Sequence, residues 1–490
     1  MSQRLRFFSL AFGSGFAVLT IEIAGARLIA PVFGLSVVPW TAVIGVILTA
    51  LAAGSHVGGR LADAGRVSLS KVLAVASLTG GLPVIGSSFP WLARELFGFI
   101  PGALVSALLL FAPPVFCLGA VVPYLVQADT DDLDSVGRRA GDISAAATAG
   151  SIMGSFVTGF FLIPLMPVSV LLGMTAGALM LMAAASTRIL GGRPQDRRAL
   201  VAVIGFPLLG ALASGVPPGT LYSGQTLYTA VSVTERPWGD GRIVRELWQN
   251  GGSSSAEFVD SGEPAHVYAS ASMDMLDLWI HRIDRALVLG GAALTLPVAL
   301  QEARPSMDIV VVEIDPAVTE LAELYFTFGE RARPSIQVYH DDARAFLRSG
   351  SDRFDLVYLD VFDHLLTVPW TMVTREALGE MRARMGTEGV FMANVLSPVA
   401  GGGTAFLARF RSTLESVFPA TRIYMSDPLS SQDATQNLIV VGAESDAVLA
   451  ALDESWSVSP VSASGRPLTD SWAPVESLQA LVFMEGLLWR

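Results

Sequence analysis

The chain has 490 residues, of which 52% are hydrophobic and 16% charged, with a formal net charge of −12 and a mean hydropathy of +0.53. A soluble domain carries about 25% charged residues, so a wholly soluble, disordered or fibrous protein is excluded. The charge is unevenly divided: residues 1–216 hold 13 basic and 9 acidic side chains, leaving 19 and 35 for residues 217–490. A slightly basic, charge-poor half and a half of net −16 are two domains of different solvent class. No basic patch of the kind that binds nucleic acid is present.

The single Cys117 excludes an internal disulfide framework, and the five histidines show no H-x-x-x-H spacing, so no metal site is expected.

The first half predicts an α-helical transmembrane bundle over residues 1–216. Apolar runs at 7–31, 41–59, 72–89, 103–127, 143–163, 168–187 and 199–216 approach the ~20 residues needed to cross a bilayer, giving about seven helices. The first is too long, and too charged at Glu22 and Arg27, for a cleaved signal peptide. Small residues at helical spacing (Gly54 and Gly58; Gly150, Gly154, Ser151, Ser155 and Gly159) mark expected helix–helix contacts. Eleven Lys and Arg flank one set of loops (Arg4, Arg6, Arg60, Arg66, Lys71, Arg138, Arg139, Arg188, Arg193, Arg197, Arg198), against Arg94 alone on the other. This bias predicts a multi-pass cell-membrane protein with a cytoplasmic N-terminus, and seven crossings would leave residues 217–490 outside the cytoplasm. A re-entrant 199–216 segment would return them to it, and the sequence leaves both placements open. Glu22, Arg27 and His56 are the ionisable residues expected within the bundle, as a substrate or proton path or as a structural set. Glu22 and Arg27 lie about 140° apart around an ideal helix, so they are expected to pair with other helices.

From Pro217-Pro218-Gly219 the pattern changes. Runs at 226–233 and 242–248, the latter bounded by Asn250-Gly251, predict a small β module over 217–270. Over 271–490, strands are expected at 285–289, 308–314, 335–339, 354–359, 389–394 and 437–441, alternating with helices at 294–303, 316–326, 343–348, 374–385 and 405–417. Near-continuous apolar strands alternating with helices mean a parallel sheet covered on both faces, an α/β doubly wound fold of Rossmann type. Ligands in such sheets bind outside the carboxyl ends of the strands, at the topological switch point. Four successive strands end in Gly290-Gly291, Glu313 with Asp315, Asp341-Asp342, and Asp360. A glycine turn admits close backbone approach, and a carboxylate about 22 residues on can bridge ribose hydroxyls, because it only accepts hydrogen bonds. The third acid would reach an exocyclic adenine amine, and the fourth the reacting end of the ligand.

Together these stretches carry a family resemblance. Leu-Val-Leu-Gly-Gly-Ala-Ala-Leu-Thr-Leu-Pro at 287–297, Val-Val-Glu-Ile-Asp-Pro at 311–316, Asp-Ala-Arg-Ala-Phe-Leu at 342–347 and Tyr-Leu-Asp-Val-Phe-Asp at 358–363 resemble the spermidine synthase (polyamine aminopropyltransferase) family. Gly-Gly-Arg-Leu-Ala-Asp at 58–63, Ala-Gly-Ser-Ile-Met-Gly at 149–154, Phe-Leu-Ile-Pro at 161–164 and Pro-Leu-Thr-Asp at 467–470 are similar to its membrane-fused branch. The resemblance implies a seven-stranded methyltransferase-like fold behind a small β domain. It also implies an aminopropyl group moved from decarboxylated S-adenosylmethionine to an amine. By matching position, Gly290, Gly291, Glu313 and Asp315 would line the nucleoside, Asp342 and Ala343 the adenine. Asp360 would be the acid that takes a proton from, or orients, the attacking amine, Asp363 would bind a cationic amine end, and Tyr228 and Tyr268 would face the substrate. No tightly bound cofactor is implied, the S-adenosyl donor being a co-substrate. The expected partners are the lipid bilayer and an amine or polyamine, with a homodimer or a membrane complex as the assembly.

The chain also departs from the family. Ala292 and Ala293 stand where the family has further glycines, and their methyl groups are expected to crowd the donor. The family's Tyr-Gln is Tyr228-Thr229, its Asp-Gly-x-x-Gln ends in Ser254, and its acid-rich Tyr-His segment is reduced to Pro-Ala-His-Val-Tyr at 264–268. Beside the transferase stand two further readings. One is a catalytically inactive nucleoside-fold domain serving a membrane carrier or complex. The other is an S-adenosylmethionine-dependent methyltransferase, since fold does not fix reaction.

Overall fold

The computed structural model describes residues 3–34, 37–65, 67–129, 136–189, 218–331, 335–362, 368–427 and 429–479. The expected helix at 199–216 and Asp363 lie outside them. Two compact units form, one of residues Met1–Pro217 with Gly224–Leu227, the other of Pro218–Ser223 with Tyr228–Arg490.

Among the described residues of the first unit, five helices are long and apolar enough to cross a membrane: Arg4–Phe33, Pro39–Ala64, Ala112–Asp129, Val136–Leu165 and Val168–Thr187. They are compatible with a multi-pass membrane protein. Two expected spans differ. The run at 72–89 becomes part of a pair, Leu69–Ile85 and Phe89–Phe97, bent by 73°. The run at 103–127 is cut at Phe111, where one helix ends at Leu110 and Pro113 and Pro114 stand in the first turn of the next. Proline lacks the N–H that would carry the helix through, so the break follows from its position. A further irregularity is the π-helical turn Thr158–Leu162, where Thr158 and Thr20 share a hydroxyl hydrogen bond of 2.9 Å across two helices. Glu22 and Arg27 are half-buried on the helix Gln3–Phe33, and His56 is exposed on Val37–Ala64.

Small residues set the closest helix contacts. A Cβ on Gly150 would lie 1.9 Å from the Phe12 carbonyl oxygen, and one on Gly54 1.9 Å from that of Phe116. A Cβ on Gly154 would meet the Phe16 carbonyl oxygen at 2.6 Å and one on Gly58 the Ala120 Cβ at 2.4 Å, while Ser151 Oγ donates to the Gly15 carbonyl at 3.2 Å. Gly159 is the exception, for a Cβ there meets nothing within 4 Å.

The second unit begins with strands β1 (Thr220–Gln225, its last two residues counted with the first unit), β2 (Ala230–Pro237), β3 (Ile243–Gln249) and β4 (Gly252–Phe258), one sheet in the order β1-β2-β3-β4. Seven more follow: β5 (Arg285–Leu289), β6 (Asp308–Glu313), β7 (Ile336–His340), β8 (Phe354–Leu359), β9 (Met385–Ser397), β10 (Ala420–Met425) and β11 (Gln436–Ala443). Their order is β10-β11-β9-β8-β5-β6-β7, with β11 antiparallel to both neighbours and the β7-to-β9 block parallel. This is the seven-stranded Rossmann-like order of the methyltransferase fold. Successive residues of the central strands face opposite sides. Leu287, Leu289, Val310, Val312, Val357 and Leu359 enter one buried cluster, and Ala286, Val288, Ile309, Val311, Leu356 and Tyr358 the other.

The Pro-Leu-Thr-Asp stretch ties the late chain to two helices. Asp470 accepts from buried Arg344 at 2.9 Å and from Thr374 Oγ1 at 2.7 Å, and its own amide donates to Glu376 at 3.0 Å.

The close glycine contacts yield a paired test. Gly150→Val must push two helices apart, costing about 1–3 kcal/mol as overpacking does, whereas Gly159→Val has open space. Thermal unfolding of detergent-solubilised protein should drop by several degrees for the first variant and stay unchanged for the second.

Candidate functional site

The switch point lies between β5 and β8. From β5 the chain runs outward through β6 and β7, then returns to the other side of β5 with β8. The two strand ends touch there: Gly290 has φ +91°, and a Cβ on it would sit 2.3 Å from the Asp360 carbonyl oxygen. Only glycine fits that position.

After Gly290 the turn is satisfied from within. The Gly290 amide donates to Val312 O at 2.9 Å. The amides of Gly291 and Ala292 donate to Glu313 Oε2 at 3.0 and 3.1 Å, and that of Ala293 to Ser255 Oγ at 3.2 Å. Leu294 N closes onto Gly291 O at 2.8 Å. A loop that cradles phosphate needs N–H groups turned outward, and every amide from 290 to 294 is already engaged. The polar groups that the turn leaves open are therefore side-chain acceptors.

Glu313 ends β6 and is buried. Its Oε1 accepts from the Asp315 amide at 3.0 Å, so with the two bonds to Oε2 it fills three of the roughly four acceptor positions of a carboxylate. One remains for a ligand hydroxyl. Burial holds its pKa above the usual carboxylate value, against the pull of the three amides. Asp315 is the N-cap of helix Pro316–Tyr325, accepting from Ala317 N at 3.1 Å. Asp342 is exposed and caps helix Ala343–Ser349 through Ala345 N at 2.9 Å, and Ala343 packs half-buried against the core.

Asp360 follows β8, and both its oxygens are held. Tyr268 donates its hydroxyl to Oδ2 at 2.9 Å, and Asn394 donates Nδ2 to Oδ1 at 3.0 Å. Burial raises the carboxyl pKa to about 6, while the two donors pull it back down. The phenol of Tyr268 is pushed well above its ordinary value, first by burial and then by the Asp360 charge beside it. Behind Tyr268 stands His266, with ring centroids 5.6 Å apart. Its Nε2 is 3.0 Å from Ser253 Oγ, and Ser253 in turn lies 3.4 Å from Glu246, which Arg236 holds with bonds of 2.8 and 3.0 Å. Burial lowers the His266 pKa.

The structure thus brings Gly290, Gly291, Glu313, Asp360 and Tyr268 around one strand edge. Tyr228 lies exposed in the β1–β2 connection, not within a strand as expected from the run at 226–233. The expected crowding is corrected for one of the two methyl groups. Ala293 is fully buried in a cluster with Val231, Val233, Leu247, Val318, Leu321 and Phe326, so its methyl serves packing between the small sheet and the turn, and Ala292, half-buried, packs against that cluster. Ala292 has φ +43° and Leu294 φ +60°, a left-handed backbone that costs L-residues roughly 1–2 kcal/mol each. Asn394 and Ser255 were not foreseen. The signal for Asn394 was present, as the one amide ending an apolar strand; Ser255 sits in a polar stretch without periodicity.

The raised pKa of Asp360 carries a sign. A carboxyl with a pKa of about 6 in the fold and ~3.9 unfolded favours the folded state less once it ionises, so its cost is absent at low pH and complete above 6. Asp360→Asn should therefore melt higher than the wild type at pH 8, the gain vanishing near pH 4. Equal melting temperatures across that range would mean the carboxylate is not desolvated.

No family model matches the chain. A polyamine aminopropyltransferase of Vibrio vulnificus is 32% identical over 117 residues, 23% of this chain and 38% of the relative, so the chain spans well under half of that relative's length. Polyamine aminopropyltransferase 2 of Aquifex aeolicus is 22% identical over 405 residues, 78% of this chain and 77% of the relative, a stretch too long to be confined to residues 217–490. Among solved structures, a probable spermidine synthase of Corynebacterium glutamicum superposes with a TM-score of 0.40 at 18% identity, over 47% of this chain and 81% of the other. The chain is similar to polyamine aminopropyltransferases, and the apolar helices at its N-terminus are compatible with the membrane-fused branch of that family.

Proposed function

We propose that this protein is a membrane-anchored transferase that moves an alkyl group, of aminopropyl type, from an S-adenosyl donor to an amine. The observation that carries the reading is Asp360, a half-buried carboxylate with a pKa near 6 at the switch point, aimed by two donors and beside the β5 turn. An amine attacks only when neutral. Its nitrogen would form a bond to the carbon next to the sulfonium as the carbon–sulfur bond breaks. Methylthioadenosine would then leave as a neutral thioether, and the surplus proton would pass to Asp360. A donor without phosphates suits a turn whose amides are all engaged. Glu313 would take a ribose hydroxyl on its remaining acceptor position, Asp342 with Ala343 would face the adenine, and Tyr268 would border the amine. Asp363, as the second acid of the motif, would bind a cationic end of the acceptor.

Calorimetric titration of methylthioadenosine into the purified full-length protein tests the reading. Micromolar binding is expected, weakened at least tenfold by Glu313→Ala with the melting profile preserved; unchanged affinity in that variant removes Glu313 from the site. No binding at millimolar ligand would leave the second reading, a retained fold serving a membrane complex. Methyl transfer from S-adenosylmethionine would favour the third.

Membrane placement is tested separately. We expect the positive-inside bias to put the exposed Ser223 outside the cytoplasm. Ser223→Cys in a Cys117→Ala background should then react with an impermeant thiol reagent in intact cells. Reaction only after lysis would put the acidic domain in the cytoplasm, where a cytosolic donor reaches it.

A further inference from the structure

Three strands carry one polar residue each in a line across the carboxyl edge of the large sheet. Leu359 of β8 is in register with Ala393 of β9, so Asp360 comes beside Asn394. On the other side Asn394 faces Ile439 of β11, which makes Asn437, two residues earlier, its diagonal neighbour on the same face. Asn437 Nδ2 donates to Asn394 Oδ1 at 2.9 Å, and Asn394 Nδ2 to Asp360 Oδ1 at 3.0 Å. Asn394 is 3% exposed, and the residues flanking it on β9, Ala393 and Val395, are buried apolar ones. A carboxamide has a donor end and an acceptor end. Asn437 occupies the acceptor end, which leaves the donor end for the carboxylate.

We infer that Asn394 is a positioning residue for Asp360, and that Asn437 decides which end of its amide faces the carboxylate. The inference rests on the role given to Asp360 in the proposed function. With the donor in place, the charged form of Asp360 is held at a fixed orientation toward the crevice. Without it, Tyr268 is the remaining side-chain donor of the two, and the proton is harder to remove. Among the described residues, the titratable groups next to Asp360 include Tyr268, on the helix Val267–Asp277, and Tyr358, on β8, with His266 behind Tyr268. Both phenols stay neutral below pH 9, being raised well above 10. Between pH 5 and 8 the response includes Asp360 and His266. Glu257, raised to about 7 by burial, also titrates there, so the Asp360→Asn background isolates the part of the response that belongs to Asp360.

The test measures melting of the full-length protein at pH 5 and pH 8 for Asn394→Leu, alone and combined with Asp360→Asn. Loss of the donor raises the folded pKa of Asp360 above its value of about 6, so the added penalty is absent well below 6 and complete above the raised value. Asn394→Leu should therefore lower the melting temperature more at pH 8 than at pH 5, and this difference should disappear with Asp360→Asn. Asn437→Leu should repeat the pattern at smaller amplitude, and stands in if Asn394→Leu does not fold. The pH midpoint of amine-dependent turnover should rise by about one unit in Asn394→Leu, as one charge-assisted hydrogen bond warrants. A loss equal at both pH values and in both backgrounds overturns the inference, whatever the activity. The coupling without any nucleoside binding would uphold the inference and remove the proposed function instead.

Discussion

The Glu313 carboxylate is the fastening on which the crevice depends. One side chain at the end of β6 gathers the amides of Gly291, Ala292 and Asp315, so the turn after β5 and the entry to the next helix are fixed by a single group. Because Gly290 lies against the backbone of Asp360, fixing that turn also fixes the end of β8. A buried carboxylate is costly unless its lone pairs are filled, and here the filling is done by backbone that would otherwise be orphaned. The groups at the strand ends thus hold one another in place before any ligand arrives.

Much of this was legible in the order of residues. β5, β6 and β8 are apolar runs that stop at Gly290, Glu313 and Asp360, and the switch-point rule then places those three together. The rest depended on partners that periodicity does not name. β4 is Gly-Ser-Ser-Ser-Ala-Glu-Phe, a composition that reads as loop, yet it pairs with β3 along its length and brings Ser255 to the turn. β10, Ala-Thr-Arg-Ile-Tyr-Met, is short and interrupted by charge, and becomes a strand because β11 offers it a ladder. That the methyl group of Ala293 turns into the small sheet rests on the position of that sheet, which periodicity does not give.

In the helical unit the same contrast holds. The glycines at 54, 58, 150 and 154 could be read as contacts because their spacing repeats on one face. The interruptions at Phe111 and at Thr158–Leu162 could not be read from hydropathy, which averages over a window and passes through a break without registering it. The prolines at 113 and 114 were the visible sign of the first.

The small sheet is joined to the glycine turn in two ways at once, by the Ser255 hydrogen bond and by the apolar cluster around Ala293. Such a joint makes the two parts thermodynamically reciprocal: whatever ligand tightens the turn must also favour the seating of the small sheet, by the same free energy. Occupancy of the crevice is therefore readable at a distance, as hydrogen-exchange protection of β2, β3 and β4. A partner that grips those strands from outside would in turn change how tightly the crevice could hold a ligand.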